Sequence, residues 1–93
     1  MSNTNPTRHQ ILLEADQLIC SDRNEQYGEP IDNLGRIASY WSTYLGRPIS
    51  ARDVALMMVL SKVAREANGH KPDSCVDMAG YAAIAAEVEE LSA

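Results

Sequence analysis

Asp73-Ser-Cys-Val-Asp77-Met-Ala-Gly-Tyr81-Ala-Ala-Ile84-Ala-Ala-Glu-Val88-Glu-Glu-Leu91 is a helix written with two acids on its apolar stripe. An α-helix turns about 100° per residue, so residues four apart lie almost one above the other. With Asp77 at zero, Asp73 falls at about 320°, Ile84 at about 340°, Val88 at about 20°, Tyr81 at about 40° and Leu91 at about 320°. A charge aimed at a core is costly unless it is paired or binds a cation. Asp73 and Asp77 are therefore candidates for chemistry as well as for solubility.

Three further helices are expected upstream. Thr7-x-x-Gln10 is a capping-box pattern, and Ile11, Leu12, Ala15, Leu18 and Ile19 follow at helical spacing. The first helix is thus expected from Thr7 to Cys20, after a flexible tail over residues 1–6. Ser21 to Glu29 is polar, contains Tyr27-Gly28, and reads as a loop. Pro30 suits a first helical turn, and Ile31, Leu34, Ile37, Ala38, Trp41, Tyr44 and Leu45 give the second helix one apolar face, ended by Gly46 and Pro48. Ser50-x-x-Asp53 opens a third helix that ends near Asn68-Gly69. No strand alternation or repeat is seen. The expected fold is all-α, a single four-helix bundle over residues 1–93.

Ninety-three residues give a modest core, which favours completion by a homo-oligomer, dimer or tetramer. A formal charge of −5 excludes the basic stripe that a duplex-DNA binder needs. The longest apolar run, Val54 to Leu60, falls far short of the ~18 residues of a membrane span. A cytoplasmic chain with Cys20 and Cys75 as buried, reduced thiols is expected. His9 and His70 show no metal-ligand spacing and read as surface residues, and Met57 and Met58 read as core filler. Trp41 reads as core or subunit interface.

Short connections make sequential helices antiparallel. The start of the second helix, the end of the third and the start of the fourth then share one pole. That pole gathers Glu29, Asp32, Asn33 and Arg36, then Lys62 and Arg65, then Asp73 and Asp77, with Arg23 and Tyr27 in the loop leading in. Two helix N-termini there favour phosphate. Carboxylates can hold Mg²⁺, which also takes phosphate oxygens, while Lys and Arg neutralise the remaining charge. Tyr27 can stack on a base. Such a set suits hydrolysis of a phosphoanhydride by water. Plainer roles stay open. Asp73 can be an N-cap, Asp77 an ion-pair partner of Lys62 or Arg65, and Asp32 and Arg36 a solvated pair. Asp53 has a sufficient reason in its capping box, unless a neighbouring subunit brings it to a site.

Two blocks carry a family resemblance. Asp53-Val-Ala-Leu-Met-Met-Val-Leu-Ser-Lys62-Val-Ala-Arg65 with Asp73-Ser-Cys-Val-Asp77-Met-Ala-Gly-Tyr81 resembles small phage-associated proteins related to the MazG-like, all-α nucleoside triphosphate pyrophosphohydrolases. Asp22-Arg23-Asn-Glu-Gln-Tyr27-Gly28 through Asn33-Leu-Gly-Arg36-Ile-Ala-Ser-Tyr-Trp41 looks like the same phage group. The resemblance implies an oligomeric bundle, a nucleotide ligand and a Mg²⁺ site built from one ExxE and one ExxD. Asp77 matches the closing acid of the second motif, and Asp73 stands four residues before it instead of three. The third helix offers no ExxE, and Glu29-x-x-Asp32 is a loose substitute. The implied assignment is Asp73 and Asp77 as catalytic and metal-binding, Glu29 and Asp53 as further metal ligands, and Lys62, Arg65, Arg23, Tyr27 and Asn33 around the substrate. Water attack would release pyrophosphate and a monophosphate. The alternatives are a nucleotide-binding phage protein without turnover, or a structural helical oligomer or adaptor.

Overall fold

The structure, a computed structural model, describes residues 5–92, and the side chains among them except those of 22–24 and 90–92. All its regular elements are helical: α1 (Arg8–Gln17), a π-helical turn (Leu18–Asp22), α2 (Arg23–Tyr27), α3 (Pro30–Leu45), α4 (Ala51–Glu66) and α5 (Pro72–Ser92). The four expected helices correspond to α1, α3, α4 and α5. No strand occurs among the described residues, and none of the described helices is long and apolar enough to cross a membrane.

Local sequence explains most of the boundaries. Thr7 and Gln10 close the first capping box, the Gln10 amide donating to the Thr7 hydroxyl at 3.2 Å and the Thr7 amide to the Gln10 side chain at 2.7 Å. Ser50 and Asp53 close the second in the same reciprocal way, at 3.0 and 2.9 Å. Pro30 begins α3, and Gly46, at φ +69°, takes the left-handed position that stops it. The turn to α4 is fixed by Ser42, whose hydroxyl accepts from the Ile49 amide at 2.8 Å and donates back to its carbonyl at 3.2 Å.

The segment Ser21–Glu29 departs from the expected loop. Helical hydrogen bonding continues past Gln17 through the π turn and then α2. The Ser21 hydroxyl donates to the Gln17 carbonyl at 2.7 Å, satisfying an acceptor where the helix widens. The extra residue of a π turn also re-aims the chain beyond it, and here Ile19 lies so close to α5 that a Cβ on Gly80 would come 2.8 Å from Ile19 Cγ2. Gly80 is what lets the two segments approach.

The core joins α3, α4 and α5. Leu34, Val54 and Val88 are fully buried, with Ala38, Ala51, Ala55, Ile84 and Ala85 around them and Ile31, Ile37, Trp41 and Met58 packed against the cluster. The α4–α5 hairpin supplies the most extensive helix pair, and α1 lies along α5. Opposite faces of α3 and α4 stay uncovered. Met57, expected as core filler, is 39% exposed there. The molecule measures 53 × 28 × 22 Å, elongated for its length.

Candidate functional site

Asp77 stands one turn into α5, and Lys62 one turn before the end of α4. Because the helices are antiparallel, the two side chains meet, Nζ to Oδ2 at 2.9 Å. Their side chains are only 13% and 29% exposed, so the expectation of an inward-aimed acid beside a cation holds for this pair. It opens on a cleft of about 170 Å³. Gly80, Tyr81 and Ile84 of α5 form one wall, and Leu18 and Ile19 of the π turn the other. The stripe read from the sequence is thus real at Asp77, Tyr81, Ile84 and Val88, which are all buried or half-buried.

Asp73 does not join them. Helix α5 begins at Pro72, so Asp73 is the second helical residue and not an N-cap, and it is exposed. The antiparallel register explains this. Arg52 pairs with Glu89 at 3.4 Å near one end of the hairpin and Lys62 with Asp77 near the other. One more turn along α5 brings Asp73 level with Glu66, the last residue of α4, where little of the neighbouring helix is left to cover it. Its charge there suits the positive end of the α5 dipole.

The other nominated residues are dispersed. Arg65 is exposed on α4, Tyr27 is 54% exposed on α2, and Asn33 is half-buried on α3 without lining the cleft. Asp32 and Arg36 are both exposed, as a solvated role requires, but no ion pair joins them among the described residues. The side chain of Arg23 lies outside the described residues. Glu29 faces a separate hollow of about 340 Å³ with Asp16, Cys20 and Glu87, which shares the Ile19–Ile84 wall with the cleft. Asp53 is bound into its capping box, and the Ser50 amide, then the Ser50 hydroxyl, hold its carboxyl below the ordinary carboxylate value. It lies nine residues from Lys62 along α4, about 13–14 Å away at 1.5 Å per residue.

Neither cysteine is fully buried, contrary to expectation. Cys20 is exposed, and its thiol donates to Asp16 Oδ1 at 3.3 Å. That hydrogen bond, followed by desolvation and the neighbouring acids, pushes the Cys20 thiol up and away from nucleophilic use. Cys75 is half-buried in the first turn of α5 and lies with Glu66 and His70. The three offer ligand atoms all within 4.8 Å of one another. Sequence spacing misses this group because its members belong to a helix end, a turn and a helix start. No single periodicity links them.

Comparison with known proteins agrees with the phage-associated resemblance. The chain is 46% identical over 81 residues to the Gene 55 protein of Mycobacterium phage D29, covering 86% of this chain and 54% of that protein. It is 42% identical over 76 residues to the Gene 55 protein of Mycobacterium phage L5, covering 80% and 49%. The chain spans about half the length of these relatives. No solved structure matches. Residues 10–89, which include every residue that lines the cleft, match the family described as a domain of unknown function, DUF6378, and the chain belongs to that family.

Proposed function

We propose that this chain is a MazG-like nucleotide-handling domain that hydrolyses a nucleoside triphosphate to a monophosphate and pyrophosphate with Mg²⁺. The observation that carries the reading is the Lys62–Asp77 pair, sheltered at the mouth of an apolar-walled cleft. A carboxylate and an ammonium held 2.9 Å apart satisfy each other without a ligand. A metal-bearing phosphate chain can separate them, offering the cation to the carboxylate and oxygens to the ammonium. Two charges exposed this little gain more from such an exchange than a fully solvated pair would.

Mg²⁺ is commonly bound through one or two carboxylates plus substrate phosphates. Asp77 supplies one such carboxylate from within the cleft. When bound, Mg²⁺ would neutralise phosphate charge and polarise the scissile anhydride. Lys62 would bind the phosphate oxygens, and Leu18, Ile19 and Ile84 would keep bulk water from them. The cleft, about 170 Å³, is below the ~300–1,000 Å³ usual for small-molecule sites. It accommodates phosphate groups and leaves base and sugar outside, to be completed by further protein surface. A second copy of the chain is the proposed source. The uncovered apolar groove between α3 and α4 supports self-assembly, as does the elongated outline of one chain.

One observation favours a second reading, nucleotide binding without turnover. Of the carboxylates nominated from the sequence, only Asp77 lines the cleft. Incubation with each nucleoside triphosphate and Mg²⁺, followed by pyrophosphate detection, separates the two. Hydrolysis predicts pyrophosphate from at least one substrate, and Asp77→Asn should lower the rate by at least the about 10–100-fold that losing even a supporting metal-site residue costs. No pyrophosphate from any of them, together with calorimetric binding, would establish the second reading. Failure of both would overturn nucleotide function altogether.

A further inference from the structure

We propose that Glu66, His70 and Cys75 form a binding site for a divalent transition metal of the zinc class, clipping the end of α4 to the start of α5. Three different ligand types converge from three pieces of backbone. Glu66 is the last residue of α4, His70 belongs to the connecting turn, and Cys75 lies in the first turn of α5. Gly69, at φ +127°, gives that turn a backbone conformation that side-chain-bearing residues rarely adopt. The turn brings His70 back over Glu66.

The carboxylate is already oriented. Glu66 Oε1 accepts from the Lys71 amide at 3.0 Å, which leaves Oε2 directed at His70 Nδ1, 2.7 Å away. A metal would replace the proton shared between that oxygen and nitrogen. Donor atoms around a tetrahedral zinc lie about 3.4–3.6 Å from one another, as its bond lengths of about 2.0–2.3 Å require. The three donors lie within 4.8 Å, so shifts on the order of 1 Å bring them to that geometry.

The donor set also selects the ion. Thiolate with imidazole favours zinc-class ions, whereas Mg²⁺ and Ca²⁺ require oxygen ligands. Three protein ligands leave a fourth position open. His70 and Cys75 border a hollow of about 330 Å³, closed on its far side by Pro6, Arg8 and Ile11, where water or an exogenous ligand has room. The site is separate from the proposed Mg²⁺ position at Asp77 in both location and ligand chemistry.

The test uses the full chain, without nucleotide, in three measurements. Zn²⁺ affinity is measured by competition with a chromogenic chelator. Co²⁺ is added as a spectroscopic probe, and the alkylation rates of both cysteines are followed with and without Zn²⁺. The expected results are one equivalent of Zn²⁺ bound, a thiolate-to-cobalt charge-transfer band, and Zn²⁺ protection of Cys75 but not of Cys20. Cys75→Ser and His70→Gln should each weaken Zn²⁺ binding by about 100-fold or more, since even supporting residues of metal sites cost about 10–100-fold. Cys20→Ser should leave it unchanged. His70 is 62% exposed at its side chain, so His70→Gln keeps the fold even if Cys75→Ser does not. Absence of stoichiometric binding, a cobalt spectrum without the thiolate band, or undiminished Zn²⁺ affinity in His70→Gln would each overturn the proposal.

Discussion

The inner and outer faces of the α3–α4 pair are both apolar, yet only one is covered. Leu34, Ala38, Val54 and Ala55 lie within the core at 0–5% exposure. On the other side Tyr44 is 90% exposed, Tyr40 67%, Leu60 66% and Val63 50%. Tyr40, Trp41, Tyr44, Leu45 and Met57 there form a groove with almost no polar lining. Apolar spacing therefore identifies which positions avoid water in some state of the protein. It does not identify which partner covers them. The buried face makes the fold, and the exposed face is available for assembly.

The comparison breaks if the two faces respond alike to truncation. The largest effect is expected from Leu34→Ala. Its side chain is 1% exposed, and removing three carbons from a filled site should cost about 2–5 kcal/mol in chemical denaturation. A loss below about 1 kcal/mol would mean that the core closes around the gap or was never tightly formed.

Gly80→Ala probes the contact on which the cleft depends. The added methyl would lie 2.8 Å from Ile19 Cγ2, on a β-branched side chain with little rotational freedom. Overpacking costs about 1–3 kcal/mol, partly offset by the better helix propensity of Ala, worth up to about 1 kcal/mol. A net loss of up to about 2 kcal/mol in urea unfolding is expected. Increased stability would show that the π turn is not held against α5 in solution.

Much of this architecture is legible in the residues themselves. Both capping boxes, Pro30 at the start of α3, Gly46 at its end and the stripe through Asp77, Ile84 and Val88 follow from local chemistry that tertiary packing does not override. The segment from Ser21 to Tyr27 is different. Its polar residues carry no apolar period, and its helicity rests on Ser21 capping a carbonyl and on Ile19 meeting a glycine more than sixty residues away. The candidate site divides in the same way. Asp77 is recognisable because it lies on the apolar stripe of a regular helix, whereas Lys62 falls on a polar arc that reads as solvent-facing and is drawn in by the acid of the neighbouring helix. Asp73 lies within about 40° of Asp77 around α5 but is exposed, because it stands level with the last residue of α4. Angle around a helix is written in the sequence, whereas what covers each of its turns is a tertiary fact. Glu66, His70 and Cys75 meet only after the turn has folded.

The Ser50–Asp53 box gives a smaller effect with a defined pH dependence. Ser50→Ala should cost about 1 kcal/mol at neutral pH, a fall in melting temperature of about 4–8 °C for a domain of this size. Asp53 has its carboxyl held below the ordinary value in the folded protein. Its contribution is therefore fully present above the unfolded-state value of about 4 and is lost as pH falls through the folded value. Melting temperatures of the native chain and Asp53→Asn should converge on acidification below about pH 4. A constant difference across that range would show that the box does not depend on the carboxylate charge.

The smallest stability effect, and the sharpest contrast between the faces, is expected at Tyr44. With 90% of its surface exposed, Tyr44→Ser removes few contacts within the chain and should change the unfolding free energy of a dilute monomer by no more than about 0.5 kcal/mol. Its effect on association should be much larger. Aromatic residues at the centre of an interface commonly contribute more than about 2 kcal/mol, equivalent to about a 30-fold weaker dimer. Light scattering across a concentration series should show the native chain self-associating and Tyr44→Ser shifted toward monomer. The same series on Leu60→Ser, at 66% exposure on α4, tests whether the interface extends past the groove. If the native chain stays monomeric at every concentration, another protein surface must cover this face, and the cleft at Lys62 and Asp77 would have to bind its ligand without a second copy.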